Sequence, residues 1–120
     1  MSHGHETDIS YLDSHTARMV AETMQALSTS SRVRILSRLS AGDCSVSELM
    51  EDIGMEQSAV SQQLRVLRNL GLVVGERQGR QVIYALHDDH IGELLTQAVS
   101  HAEHVRLGLA ARPESGGVTA

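Results

Sequence analysis

Histidine carries most of the chemistry available to this sequence. Seven of its 120 residues are His, and two short groups near the C-terminal end, Asp88-x-His90 and His101-x-x-His104, have ligand-like spacing. Residues three apart on a helix share a face, so His101 and His104 can grip one ion. Neutral imidazole with carboxylate is a donor set for zinc, nickel or cobalt. The single cysteine, Cys44, excludes an intramolecular disulfide and an all-thiolate site within one chain. Without paired thiolates, arsenite, cadmium, lead and copper(I) are disfavoured. At about 1.5 Å per helical residue, His90 and His101 would lie about 16 Å apart, too far for one ion to bridge in one chain. If two such helices pack antiparallel in a dimer, Asp88 and His90 of one subunit meet His101 and His104 of the other, giving two equivalent sites. Spacing alone leaves a second reading open, in which these are solvent-facing histidines on an interface helix.

The N-terminal stretch holds a further donor group. Removal of Met1 ahead of the small Ser2 would expose an amino group one residue from His3, with His5 close behind. An octahedral ion takes more ligands than the two helix groups supply. A tail with no metal contacts is the alternative. His87 can join the Asp88 group or serve the strand on which it sits, and His15 has no partner by spacing. Cys44 reads as a small core residue rather than a ligand, since free Cys is usually buried.

A second chemistry lies in residues 57–80. Formal net charge is −5, which argues against a polyanionic partner until its distribution is considered. Residues 57–80 carry Arg65, Arg68, Arg77 and Arg80 against the single acid Glu76, a local +3, while the remainder is −8. Val60, Leu64 and Leu67 fall on one face of a predicted helix from Glu56 to Leu70. The opposite face offers Ser58, Ala59, Ser61, Gln62, Arg65, Arg68 and Asn69, and Gln57 at the helix start joins the candidate DNA contacts. Small hydroxyls and amides near a helix start can approach base edges, and arginines further along can reach guanine or phosphate. Arg77 and Arg80 flank Gln78-Gly79 at a predicted hairpin tip, suited to lie along a phosphate backbone or a minor groove.

These groups need a scaffold, and the chain is short enough for one domain. Residues 1–13 are polar and aperiodic and read as a flexible tail. Ala17, Val20, Met24 and Leu27 recur at helical spacing from Ser14 to about Leu27. A second helix fits Ser30–Leu39, with Val33, Leu36 and Leu39 inward and Arg32, Arg34 and Arg38 mostly outward. Ser45-Val46-Ser47-Glu48 is a capping box opening a short helix to Ile53 that Gly54 ends. A short helix, a Gly54-Met55 turn and a longer helix are the pattern of a helix-turn-helix. Leu72–Val74 and Gln81–Leu86, on either side of a glycine-containing turn, read as a hairpin. Asp88 or Asp89 caps a last helix to about Leu109, with Ile91, Leu94, Leu95, Ala98, Ala102, Val105 and Leu109 on its apolar side. Residues 110–120, with Pro113 and Gly116-Gly117, read as a disordered tail. The expected architecture is mainly α with a β-hairpin wing, a winged helix-turn-helix over residues 14–109. Hydrophobic residues reach 41%, but there is no Trp or Phe, so the core is thin and self-association would bury more apolar surface. No apolar run is long enough to span a bilayer and the start lacks a signal-peptide pattern, which predicts a soluble, cytoplasmic protein with no membrane partner.

Gln57-Ser58-Ala59-Val60-Ser61-Gln62-Gln63-Leu64-Arg65-Val66-Leu67, then Gly71-Leu72-Val73 and the Gly79-Arg80-Gln81-Val82-Ile83-Tyr84 strand, resemble the ArsR/SmtB family of metal-responsive repressors. The resemblance spans roughly residues 14–109. It implies a homodimer whose first and last helices form the interface, with two winged helices facing an inverted-repeat operator in double-stranded DNA. It also implies that Asp88, His90, His101 and His104 are similar to the last-helix site of the nickel/cobalt-sensing branch. Zinc sensors resemble this too, but commonly have an acid where His104 stands. A His in the position of His3 is likewise shared with the resembling nickel sensor. The thiolate box that other members carry corresponds here to Glu48-Leu49-Met50-Glu51-Asp52, which has no Cys. The expected function is operator binding by the metal-free dimer and release when Ni2+, Co2+ or, alternatively, Zn2+ fills the inter-subunit site. A small metallohydrolase is the competing class, but no positioned base, nucleophile motif or phosphate loop supports it, and no small organic substrate is expected. A DNA-binding dimer with zinc control or no metal control is the third reading.

Overall fold

Local signals in the sequence set most element boundaries. The computed structural model describes residues 9–108, so Ser2, His3, His5, Leu109 and the expected tail 110–120 lie outside the described residues. Helix α1 (Ser14–Ala26) starts where the Asp13 carboxylate accepts the Thr16 N–H at 2.7 Å, and α2 (Ser30–Ser40) where Thr29 accepts the Arg32 N–H. The two-residue strand β1 (Cys44–Ser45) leads into α3 (Val46–Ile53). There the capping box is complete: Ser45 Oγ accepts the Glu48 N–H at 3.2 Å and Glu48 Oε1 accepts the Ser45 N–H at 2.8 Å. Gly54 ends α3 at φ 69°, a backbone conformation that a side chain disfavours.

Helix α4 (Gln57–Asn69) follows the turn, then β2 (Val73–Gln78), β3 (Gln81–Leu86) and α5 (Asp89–Arg106). The strands form one antiparallel sheet in the order β1-β3-β2. Gln78 pairs with Gln81 across the tip, leaving Gly79 and Arg80 as the turn, and Gly75 lies opposite Tyr84. β1, which pairs Cys44 with Tyr84 and Ser45 with Ile83, is absent from the sequence expectation because two residues carry no alternation.

The core gathers Ile35, Leu36, Leu39, Leu49, Val60, Leu64, Leu67, Leu72, Val73, Ile91 and Leu95, with Cys44 buried among them. Burial pushes the Cys44 thiol up, which suits a packing residue. One expectation needs correction. On α2 the buried set is Ile35, Leu36 and Leu39, with Val33 only half-buried, because α2 packs against α3, α4, β3 and α5 and so buries a broader face than one stripe. On α5 the described residues of the expected apolar side that are buried within one chain are Ile91 and Leu95. Leu94 is half-buried, and Ala98, Ala102 and Val105 are exposed. α1 is barer still: Met19, Val20 and Met24 are exposed and Ala26 is its one buried residue.

Candidate metal centre and nucleic-acid interface

Asp88 sits at the junction of β3 and α5 and caps the helix. Its Oδ1 accepts the N–H groups of His90 at 3.0 Å and Ile91 at 3.3 Å. Its Oδ2 lies 3.3 Å from His87 Nδ1, and His90 Nδ1 lies 3.7 Å from Oδ1. Partial desolvation pushes the Asp88 carboxyl up, but the His87 contact, the Ile91 and His90 N–H groups and the nearby His90 ring outweigh it and hold it below the usual range. Asp88 is therefore a carboxylate at neutral pH. The His90 side chain is 90% exposed, so its ring is open to an approaching ligand.

His101 and His104 lie near the other end of α5, with His104 in its last turn, and both are exposed. Neither side chain has a hydrogen-bond or ion-pair partner within the described residues. The helix runs unbroken from Asp89 to Arg106, so the eleven residues from His90 to His101 span about 16 Å along it. Among the described residues of one chain, no three His, Cys, Asp or Glu side chains converge where they could hold an ion. The structure thus brings Asp88 and His90 together and leaves His101 and His104 as a separate pair. It also puts His87, left open by its strand position, directly against Asp88. The donor chemistry fits a divalent transition metal: exposed imidazoles and one ionised carboxylate, with the single cysteine buried in the core.

On α4, Val60, Leu64 and Leu67 are buried, whereas Gln57, Ser58, Ser61, Gln62, Arg65 and Arg68 are exposed. Arg77 and Arg80 are exposed at the hairpin. None of these four arginine side chains is hydrogen bonded or ion-paired within the described residues. The arginines of α2 behave differently: Arg34 is exposed and Arg32 and Arg38 are half-buried, and all three bond to other parts of the chain. Sequence periodicity missed this because their partners, Gln63, Ile53 and Asp52, are distant along the chain. An exposed amide-and-hydroxyl helix face beside uncommitted guanidinium groups is an arrangement that can read base edges and neutralise phosphates.

Residues 29–74, from the α2 cap to the start of β2, match the description "Bacterial regulatory protein, arsR family". Over 106 residues the chain is 58% identical to the HTH-type transcriptional regulator NmtR of Mycobacterium tuberculosis (strain ATCC 25618 / H37Rv), covering 88% of each. The chain belongs to the ArsR family. As an ArsR-family protein it is a DNA-binding transcriptional regulator and not an enzyme, which removes the metallohydrolase reading. Another relative, the HTH-type transcriptional repressor SmtB of M. tuberculosis (strain ATCC 25618 / H37Rv), is 38% identical over 81 residues, 68% of this chain and 60% of its own length. The solution structure of apo-NmtR superposes with a TM-score of 0.70 at 53% identity, covering 93% of this chain and 92% of that one. The helix-turn-helix of this ArsR-family chain is α3 and α4, and its wing is the β2–β3 hairpin.

Proposed function

We propose that this ArsR-family regulator is a cytoplasmic homodimeric repressor that binds an inverted-repeat operator when metal-free and releases it when nickel or cobalt occupies sites between its subunits. Asp88 and His90 of one subunit and His101 and His104 of the other would hold the ion, with Ser2, His3 and His5 supplying further donors. A bound divalent ion would supply a cross-link between the two α5 helices. The observation that carries the reading is the placement of two exposed donor pairs at opposite ends of one unbroken helix. Neither pair suffices alone, and an antiparallel second α5 completes both. The uncovered apolar residues of α1 and α5 supply the surface on which such a dimer packs.

The remaining steps belong to the protein. Asp88 caps α5, so the carboxylate that faces the ion also anchors the first turn of the helix. α5 packs on α2 and β3, and α2 packs on both helices of the helix-turn-helix, so a shift of α5 reaches α4 through packed elements. On the DNA, Ser58, Ser61 and Gln62 read base edges, and Gln57, Arg65, Arg68, Arg77 and Arg80 engage bases or phosphates. Control requires the ion to favour one relative placement of the two recognition helices over the other. A coupling of about 1–3 kcal/mol is the usual range.

The test is operator binding by fluorescence anisotropy during titration with nickel, cobalt and zinc, for the full chain and one starting at Asp8. Nickel is expected to release the full chain, and the shortened chain to need more nickel while its zinc response is unchanged. Identical nickel responses would assign the tail no role. Release by zinc alone would favour four-coordinate zinc control, and no release by any metal would remove metal control altogether.

A further inference from the structure

The three arginines of α2 divide the helix-turn-helix between them. Arg34 Nη2 donates to the Ile53 carbonyl at the end of α3. Arg38 Nε donates to Asp52 Oδ2 at 2.6 Å, also on α3, and its Nη1 to the Gly42 carbonyl at 3.0 Å. Arg32 reaches α4 instead: its Nε donates to Gln63 Oε1 at 2.9 Å, while its Nη1 donates to the Ala26 carbonyl at 3.1 Å. Ala26 is the last residue of α1, and a terminal carbonyl has no donor further along its own helix. It is also the one buried residue of a helix that otherwise presents Met19, Val20 and Met24 outward. The chain therefore holds α1 mainly by its C-terminal end, and the guanidinium that grips this end also grips the recognition helix. Gln63 is half-buried, on the flank of α4 beside Val60, Leu64 and Leu67, so its carbonyl oxygen is committed inside the chain.

We infer that Arg32 is a positioning residue that transmits the placement of α1, and of the second subunit packed on its open face, to the recognition helix through Gln63. The identity of that partner and the metal that shifts its placement rest on the proposed function. A guanidinium is a planar fork with donors in fixed relative directions, so it cannot follow a movement of the Ala26 carbonyl without changing its bond to Gln63. A flexible ammonium could absorb the same movement.

The test measures operator and random-sequence DNA binding by the metal-free full chain, with Arg32→Gln, Gln63→Leu and the double substitution. Each single change should weaken operator binding about tenfold, the scale of one lost hydrogen bond to a charged group. Random-sequence binding should hold, and the double variant should be no weaker than the weaker single one. Gln63→Glu, which keeps an acceptor, should retain operator preference with Arg32 present and lose it with Arg32→Gln. Parallel loss of operator and random-sequence binding, or additive losses in the double variant, would make Arg32 merely structural and overturn the inference. With nickel added, the ratio of operator affinities without and with metal should shrink about tenfold in Arg32→Gln while nickel affinity of the free protein stays unchanged. An unchanged ratio overturns the transmission. Failure of nickel to release the unsubstituted chain would count against metal control itself, and the metal-free series would still decide the link from Arg32 to α4.

Discussion

All ten basic residues are arginines, and the structure sorts seven of them by what their side chains touch. Arg32, Arg34 and Arg38 are bonded to the frame of the helix-turn-helix, whereas Arg65, Arg68, Arg77 and Arg80 are exposed without a partner among the described residues. Arg77→Ala or Arg80→Ala is expected to weaken binding to all DNA sequences and to flatten the salt dependence by a slope of about one per lost phosphate contact. Ser61→Ala or Gln62→Ala should instead relax base preference at nearly constant salt slope. Binding across a salt series to a mapped operator and to random DNA separates the two classes. The exposed face of α4 was legible because exposure follows helical periodicity once Val60, Leu64 and Leu67 are placed inward. The fate of the α2 arginines was not, because it depends on carbonyls that only tertiary packing brings near. A pH effect also belongs to single residues. The Thr16 N–H, bonded to the Asp13 carboxylate, holds that group below its usual range. A depressed folded-state value stabilises α1 above the unfolded value, and the benefit is lost as pH falls through the folded value. Asp13→Asn keeps a capping side chain without the titration. The thermal stability of the unsubstituted chain should therefore exceed that of Asp13→Asn near neutral pH, with the gap closing in acid.

Among the elements, the clearest match between sequence and structure is α3. Ser45 and Glu48 satisfy each other's backbone groups, and Gly54 takes the left-handed turn, so both ends follow from local chemistry alone. The hairpin was read from its β-branched runs and Gly79, but β2 extends through Gly75-Glu76-Arg77-Gln78, which has no hydrophobic alternation. Pairing with β3 stabilises that stretch instead. Gly75 carries a constraint that only the sheet reveals: a Cβ there would meet the Tyr84 ring and Val82 Cγ1, both at 3.0 Å. Gly75→Ala should therefore cost about 1–3 kcal/mol in thermal or urea unfolding, the usual scale of overpacking. A neutral effect would mean that the Tyr84 ring moves aside without loss. α5 shows the opposite case. Its cap at Asp88 and its apolar spacing were legible, but which apolar residues are covered depends on how the rest of the chain packs, and beyond Leu95 no described residue buries them.

The whole molecule combines a basic stretch over residues 57–80 with an otherwise acidic chain and, among the described residues, exposed apolar side chains on α1 and α5. Assembly and regulation meet at α5 in the proposed dimer, because the helix that packs the subunits also carries both donor pairs. Geometry makes this testable by subunit mixing. A His90→Ala subunit paired with a His101→Ala subunit should contain one site lacking both ligands and one site fully intact, whereas each parent homodimer has two sites lacking one ligand each. Nickel titration calorimetry on purified mixed dimers, carrying a different affinity tag on each subunit, is the most direct measurement. The account predicts one tight nickel ion per mixed dimer and none in either parent. Two equally weakened sites in the mixed dimer, with no recovery over the parents, would contradict it by assigning His90 and His101 of the same chain to one ion.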